Sequence, residues 1–139
     1  MIEIIEMQPF HVPWIAELEK ICFHDPWSER SIASELENPL SYWLVAMDGE
    51  KLVGYVGSQT VLGETDMMNV AVCPDYRRQG IAEGLILALI ADLKARGSHC
   101  LTLEVRDSNA PAAALYMKSW AFRKSGGGRI TIAIPKKTR

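Results

Sequence analysis

The order of apolar and polar residues in the first half of the chain predicts a strand, two short helices and then three more strands. Ile2 to Glu6 is typical of a strand, and Pro13 opens a helical pattern of apolar residues. Ser28 is the expected N-cap of a second helix, which Asn38-Pro39 would stop. Three strand-like runs follow, with a hairpin signal at Asp48-Gly49 between the first two: Tyr42 to Met47, Leu52 to Val61 and Met67 to Val72.

The second half of the chain predicts helices that alternate with strands. A helical pattern runs from Ile81 to about Arg96, and Gly97 is placed to end it. A buried strand, a helix and a last strand are expected after it: Leu101 to Val105, about Ala110 to Ser119, and Ile130 to Ile134. The order β-α-α-β-β-β-α-β-α-β predicts an α/β fold, a mixed sheet with helices on its faces and one βαβ unit from Met67 to Val105.

Length, composition and charge indicate one soluble domain over residues 1–139. Of the 139 residues, 48% are apolar and 23% are charged, so the chain can bury a substantial core. The 15 basic and 17 acidic residues give a net charge of −2, which argues against a nucleic-acid-binding surface. The longest apolar run, Leu85 to Ala91, is far shorter than the roughly 20 residues that cross a bilayer. The acidic start is unlike a signal peptide, so we expect a cytoplasmic protein without a membrane partner.

The cysteines and histidines are too scattered to predict a metal site or a disulfide framework. Cys22, Cys73 and Cys100 form no CxxC pair and have no zinc-type spacing to the three histidines. Each lies among apolar residues, where a cysteine usually packs as a small hydrophobic side chain.

The segment that carries most chemical information is the turn between Cys73 and Ala82. A strand ends at Cys73-Pro74, and a basic, glycine-containing turn then leads directly into a long helix. The first helical turn leaves backbone N–H groups unpaired and carries partial positive charge, Gly80 allows close approach, and Arg77 and Arg78 add cationic donors. These features predict a pyrophosphate cradle; the alternative is an ordinary strand–helix connection with exposed arginines. The turn has neither a Walker sequence nor a GxGxxG motif.

A second candidate is Glu104, which lies in the predicted strand Leu101 to Val105, a run otherwise typical of a buried strand. A carboxylate there is costly unless it is paired or functional. Partial burial would raise its pKa and suit it to act as a general base toward an amine. The alternative is a solvated strand end in which Glu104 pairs with Arg106 or another cation.

The turn also resembles a family signature. Residues Arg77-Arg78-Gln79-Gly80-Ile81-Ala82 match the Q/R-x-x-G-x-G/A signature of the GNAT acetyltransferase superfamily. The resemblance implies a mixed, mostly antiparallel twisted sheet of six to seven strands flanked by about four helices. It also implies that backbone amides of the turn hold the pyrophosphate of acetyl-CoA, and that the main chain of Val70-Ala71-Val72 pairs with its pantetheine arm. Acetyl-CoA would be the co-substrate, with no metal.

Two residues of the next predicted helix gain roles from the same resemblance. Asn109 is an expected N-cap on residue type alone, and the resemblance adds a contact to the coenzyme A arm. Tyr116 would by itself be an ordinary core aromatic. Leu115-Tyr116, followed by Phe122, resembles the GNAT pattern in which this tyrosine protonates the departing thiolate. A phenol is protonated at neutral pH, as a general acid must be.

Within the superfamily, the chain is most similar to the RimI group, the ribosomal-protein-alanine N-acetyltransferases. Pro26-Trp27-Ser28-Glu29 matches an acceptor-side segment of that group, although Trp27 alone is more often a core aromatic. The resemblance covers residues 2 to about 122 and implies acetylation of the N-terminal amine, alanine in that group, of a ribosomal or other protein. The implied enzyme is a monomer or weak dimer. An acidic first half suits a cationic acceptor: Glu17, Glu19, Glu29, Glu35 and Glu37.

The C-terminal part departs from the RimI pattern and keeps other functions open. Trp120-Ala121-Phe122 lacks the usual glycine, no tyrosine follows Tyr116, and a glycine triplet at 126–128 replaces a longer acceptor loop. One alternative is a GNAT enzyme that acetylates a small amine. A second alternative is a non-catalytic acyl-CoA-binding module, which the presence of both Glu104 and Tyr116 disfavours.

Overall fold

The computed structural model describes residues 1–104, 122–125 and 129–134. The strands in these residues are β1 Ile2–Glu6, β2 Ser41–Asp48, β3 Lys51–Val61, β4 Glu64–Val72, β5 Cys100–Glu104, β6 Phe122–Ser125 and β7 Arg129–Ala133. The α-helices are α1 Val12–Cys22, α2 Glu29–Glu37 and α3 Ile81–Ala95, and 3-10 turns lie at Pro9–His11 and Pro74–Tyr76.

The described strands form a single seven-stranded mixed sheet. Their order is β1-β2-β3-β4-β5-β7-β6, in which β4 and β5 are parallel neighbours. The other neighbouring pairs are antiparallel. The predicted α/β fold with a mixed, mostly antiparallel sheet is therefore confirmed, as is the predicted βαβ unit formed by β4, α3 and β5.

Most predicted elements are found close to their expected places, and the differences lie in β4 and after β5. The strand expected from Met67 starts three residues earlier, at Glu64. A seventh strand, β6, was not predicted, because it has four residues and two of them, Arg123 and Lys124, are charged. It pairs with β7 alone at the edge of the sheet, where a short polar strand is tolerated. The helix expected from Ala110 to Ser119 lies outside the described residues.

Local signals at helix ends act as the sequence predicts. The Ser28 side chain accepts a hydrogen bond from the Ser31 backbone N–H at 3.1 Å and so caps α2. Asn38 ends that helix and its side chain accepts from the Leu40 N–H at 2.9 Å. Gly97 follows α3 at φ +86°, a left-handed conformation in which glycine avoids the steric cost of a Cβ.

The sheet separates two apolar cores, one under α3 and one under α1 and α2. Each buried leucine or isoleucine contributes about 2 kcal/mol through apolar surface removed from water. The first core is centred on side chains of α3 and the inner strands: Leu85, Leu89, Leu93, Val53, Val56, Leu101 and Ile132. The second combines helical aliphatic residues with strand aromatics: Ile15, Leu18, Ile32, Val45, Trp43 and Tyr55.

A fully buried histidine holds the entry to α1. His11 is 0% exposed, and its Nδ1 accepts the Gln8 backbone N–H at 2.8 Å. Since Nδ1 is the acceptor, the ring proton is assigned to Nε2, which has no acceptor among the described residues. Burial lowers the pKa of His11, because the charged ring would lose its solvation. Protonation of Nδ1 would also remove the bond from Gln8.

We expect His11 to make folding stability fall at acidic pH. Its pKa is lower in the folded chain than the ordinary 6.5, so the unfolded chain binds the proton first. Its contribution is complete above pH 6.5 and is lost as the pH falls from there toward the lowered folded pKa. Urea unfolding at about pH 7.5 and about pH 5.5 measures the loss. His11→Gln should show a smaller loss than the wild type, whereas His24→Gln, at an exposed site, should match the wild type. Equal losses in all three proteins would contradict the assignment.

Candidate functional site

The sheet splits between its two parallel strands. β4 and β5 pair through Glu64↔Cys100, Thr65↔Leu101 and Asp66↔Thr102, and their ladder ends there. β4 continues alongside β3 to Val72, while β5 continues alongside β7 to Glu104. Among the described residues, the edge of β4 from Met67 to Val72 that faces β5 has no strand partner. An open edge of this kind offers backbone N–H and C=O groups to an extended ligand.

A β-bulge lies in β4 where the split begins. Gly57 pairs with Asn69 and Ser58 pairs with Met67, so Met68 is the extra residue. Bulges twist the strand locally and redirect its backbone groups, and they are common next to active sites. Val70, Ala71 and Val72 follow the bulge directly. The structure thus places all three residues of the predicted pantetheine-binding strand on the open edge of β4.

The turn that follows β4 carries two left-handed residues. Arg78 has φ +65° and Gly80, the N-cap of α3, has φ +77°. A Cβ added at Gly80 would meet no other atom within 4 Å among the described residues, so the space in front of the helix start is open. The first-turn amides of α3, which include those of Ile81 and Ala82, have no acceptor within the helix. Open space, unpaired amides and the positive end of a helix dipole together suit a phosphate group.

The predicted cofactor residues of the turn divide into exposed and anchoring positions. Arg78 and Gln79 are exposed, whereas the Ile81 side chain is 6% exposed and packs in the α3 core. Arg77 is exposed but folds back along β4: its Nε donates to the Val72 carbonyl at 3.3 Å and its Nη2 to Cys22 Sγ at 3.6 Å. Ile81 would therefore serve a ligand through its backbone, and Arg77 braces the end of the strand.

A tyrosine fixes the same turn to the neighbouring hairpin. The Tyr76 hydroxyl donates to Asp48 Oδ2 at 2.8 Å, and the Lys51 ammonium lies 5.2 Å from the Tyr76 ring centroid. The hydrogen bond lowers the pKa of Asp48 and raises that of Tyr76, because it favours the charged carboxylate and the neutral phenol. The first part of the turn is thereby held to the hairpin of β2 and β3.

The predicted general base lies at the mouth of the split. Glu104 is the last residue of β5 and pairs with Arg129 of β7. Continued in register, the parallel ladder would set Glu104 opposite Met68, two residues beyond the Asp66↔Thr102 pair. Glu104 thus lies two residues beyond the last β4–β5 pair, in the part of β5 that no longer pairs with β4. The Glu104 side chain, Asn109 and Tyr116 lie outside the described residues, so their roles stay predictions.

Two acids expected on the surface of the acceptor side are buried instead. Glu19 is 1% exposed and Glu35 is 8% exposed. Glu35 accepts hydrogen bonds from Trp43 Nε1 at 3.2 Å, Ser41 Oγ at 3.0 Å and Gln59 Nε2 at 3.0 Å. The expectation of an acidic surface was wrong for these two residues, because buried polar partners neutralise the cost of their burial.

Glu19 joins two parts of the candidate site that are far apart in sequence. Its Oε1 accepts the Trp27 backbone N–H at 2.7 Å, and its Oε2 accepts Asn69 Nδ2 at 2.7 Å. Burial raises the pKa of Glu19, and both hydrogen bonds oppose that rise. Sequence reasoning missed this role. Its only signal was helical spacing, since Glu19 follows Ile15 by four residues and lies on the buried face of α1.

The loop between α1 and α2, residues 23–28, is also held by aromatic contacts. It contains most of the segment that the resemblance assigns to the acceptor side, and it is called the acceptor loop below. The Trp27 ring packs edge-on against Trp43 at 5.6 Å between centroids, and Trp43 stacks on Tyr55 at 5.7 Å. Gly57 permits this stack, because a Cβ there would lie 2.6 Å from Trp43 Cδ2. The Trp27 side chain therefore packs as a core aromatic in the described structure.

The described residues contain no group of three or more His, Cys, Asp or Glu side chains that could hold a metal ion. All three cysteines are free thiols. In the same part of the chain, no helix has both the length and the apolar character needed to span a membrane.

Comparison with known proteins agrees with the geometry. The model of the Acetyltransferase (GNAT) family matches residues 10–122. The [ribosomal protein bS18]-alanine N-acetyltransferase of Escherichia coli K12 is 37% identical over 113 residues, which are 81% of this chain and 76% of that protein. The crystal structure of the Escherichia coli ribosomal-protein-S18-alanine N-acetyltransferase matches with a TM-score of 0.86 and 29% identity, over 99% of this chain and 97% of that chain.

A more distant structure shows the same fold with a ligand. The paia N-acetyltransferase of Thermoplasma acidophilum, in complex with coenzyme A, matches with a TM-score of 0.81 and 16% identity over 99% of both chains. The split sheet, the bulge and the left-handed turn thus occur in a chain whose similarity extends through most of its length. The protein is an N-acetyltransferase that uses acetyl-CoA. The chain belongs to the GNAT family of acetyltransferases.

Proposed function

We propose that the enzyme is of the RimI type and acetylates the N-terminal amine of a protein, with alanine as the preferred first residue. The observation that carries the proposal is the open edge of β4, which lies between a helix start suited to a phosphate and the acceptor loop. The Escherichia coli relative, named for acetylating the alanine of ribosomal protein bS18, supplies the acceptor class.

In this proposal, acetyl-CoA binds along the split. The amides of residues 78–82 hold the pyrophosphate, and the main chain of Val70-Ala71-Val72 pairs with the pantetheine arm as an added strand would. Asn109 adds a contact to the same arm. The thioester then reaches the bulge at Met68, where a redirected backbone N–H polarises its carbonyl.

The acetyl group passes directly to the amine. Glu104, directly or through a water, takes a proton from the amine, whose nitrogen attacks the thioester carbon. A C–N bond forms, the C–S bond breaks, and Tyr116 gives its proton to the departing thiolate sulfur. No enzyme nucleophile takes part, so an activated cysteine or serine is not required.

A small amine is the second candidate acceptor, and one feature favours it. Only residues 126–128 connect β6 to β7, so the hairpin at that side of the sheet is short. A short hairpin encloses less of an acceptor peptide than a long loop does. Exposed acids of α1 and α2, among them Glu17 and Glu29, would suit a cationic amine as well as a basic peptide.

An acceptor screen decides between the two candidates. Purified enzyme, acetyl-CoA and a thiol-release readout are tested with peptides that differ only in the first residue, beside spermidine and free amino acids. We expect alanine-first peptides to give the highest kcat/KM, at least about 10-fold above peptides that begin with a bulky residue, since a filled pocket discriminates by 1–3 kcal/mol. A higher kcat/KM for spermidine than for any peptide would favour the small amine as the acceptor. No turnover with any amine would contradict the proposed function.

Gly80 should control acetyl-CoA affinity. In Gly80→Val, a side chain enters the open space before α3, and β-branching opposes φ +77°, so we expect at least about 10-fold weaker binding by isothermal titration calorimetry. The matched control is Gly97→Val at the other end of α3, with φ +86° and nothing within 4 Å of its Cβ. It imposes similar backbone strain but should leave the affinity within about 2-fold of the wild type. Equal affinity losses would contradict the predicted cradle.

Glu104 and Tyr116 should control turnover without controlling binding. Glu104→Gln and Tyr116→Phe each remove one proton-transfer group, so kcat should fall about 100-fold or more while acetyl-CoA affinity is kept. Tyr42→Phe is the matched control, because that hydroxyl donates to Asp92 Oδ2 at 2.6 Å on the α3 face. Burial and Asp92 raise the pKa of Tyr42 to about 12, so the hydroxyl keeps its proton in the bond to Asp92. Unchanged kcat in the first two variants would return Glu104 and Tyr116 to structural roles.

A further inference from the structure

The buried carboxylate of Glu19 has no place in the proposed chemistry, yet it is the point at which the two halves of the site meet. Both of its oxygens are bonded at 2.7 Å, one to the Trp27 backbone and one to the Asn69 side chain. The residue is 1% exposed, so its carboxylate does not lie open to a substrate. Glu19 therefore acts through the groups it holds.

The two partners of Glu19 belong to different parts of the reaction. Trp27 lies in the acceptor loop. Asn69 lies in β4 directly after the bulged Met68, where the proposed thioester carbonyl is polarised. A carboxylate in a dry site stabilises its donors only while both bonds keep good geometry. The loop and the bulge are thus held at one separation by a single side chain.

A second path joins the same two points through aromatic rings. From Trp27 it runs through Trp43 to Tyr55, whose hydroxyl lies 3.4 Å from Asn69 Nδ2. Gly57, the strand partner of Asn69, leaves the space in which the Trp43 ring lies. Together with Glu19, the path forms a closed circuit of packed and hydrogen-bonded groups. A closed circuit resists displacement of any one member more than an open chain does.

We propose that Glu19 is a positioning residue that holds the acceptor loop against the β4 bulge and so sets where the acceptor amine meets the acetyl group. The inference rests on the proposed function, because the loop is assigned to the acceptor side there. Glu19 and Asn69 would then influence the KM for the acceptor without changing the affinity for acetyl-CoA.

The pair can be tested by exchanging donor and acceptor. In Glu19→Gln, an amide still accepts from Trp27, but its NH₂ group faces the NH₂ group of Asn69. In Asn69→Asp, a second carboxylate faces Glu19. Each change replaces an attraction by a repulsion. When both are combined, the introduced amide donates to the introduced carboxylate and the same connection is made in reverse.

The acceptor probe is a hexapeptide that begins with alanine, and KM, kcat and acetyl-CoA affinity are measured for each protein. We expect each single variant to raise peptide KM about 10-fold or more, the loss of one charge-assisted hydrogen bond, with acetyl-CoA affinity within about 2-fold of the wild type. The double variant should return peptide KM to within about 3-fold of the wild type, as a coupled pair requires. Unchanged KM in the single variants, or no recovery in the double variant, would overturn the proposal.

Two controls separate positioning from general loss of stability. Glu3→Gln removes an exposed carboxylate from β1, the edge strand three places from β4, and should change no constant. Tyr42→Phe removes a partly buried hydrogen bond on the α3 face and should lower stability without raising peptide KM. If a charge-changing single variant does not fold, Asn69→Ala takes its place, because it cuts the link to the bulge and leaves the Trp27 bond intact. A rise in peptide KM then supports the proposal, and an unchanged KM overturns it.

Failure of the proposed function is recognised separately. If the wild type does not acetylate the hexapeptide, the acceptor assignment fails, and the variants are compared by hydrogen exchange at the Trp27 amide. Faster exchange in Glu19→Gln and Asn69→Asp, with slow exchange regained in the double variant, would show that the circuit holds the loop. Equal exchange in all four proteins would overturn the positioning role itself.

Discussion

The separation of β4 from β5 is the constraint on which the rest of the molecule depends. Two parallel strands in one sheet normally satisfy each other's backbone groups, and these two do so only as far as Asp66 and Thr102. Beyond that row each strand keeps one antiparallel neighbour, β3 or β7, so neither loses its place in the sheet. The free-energy cost of unpaired backbone groups is then confined to a few residues. A ligand that carries its own amides can form hydrogen bonds with those groups.

The packing on the two faces explains how the split stays open. On one face, α3 follows β4 after a short turn and buries its leucines, so its positive end is fixed beside the open edge. On the other face, the rings of Trp27, Trp43 and Tyr55 hold the acceptor loop beside the bulge. The cofactor site and the acceptor site proposed above therefore draw on opposite layers of the protein, with β4 between them.

Local chemistry explains which features can be predicted from the sequence. Some features depend only on neighbours within a few residues, so the local sequence is enough to predict them. They are the helix start at Ser28, the helix end at Gly97 and the hairpin after Asp48. The split of the sheet is different, because it depends on which distant strand each edge meets. The burial of Glu19 cannot be predicted from the sequence for the same reason: its partners are 8 and 50 residues away. A charged residue on a helix is usually solvated, and only tertiary contacts reverse that expectation.

The position of β7 has a consequence for how the chain is made. β7 lies between β5 and β6, although it follows both of them along the chain. Its residue Ile132 is 1% exposed, so the α3 core is not closed until residues 129–134 have been added. During synthesis, the edge of β5 that pairs with β7 stays unpaired until β7 has been made. Loss of the last ten residues would therefore remove an interior strand and open the core.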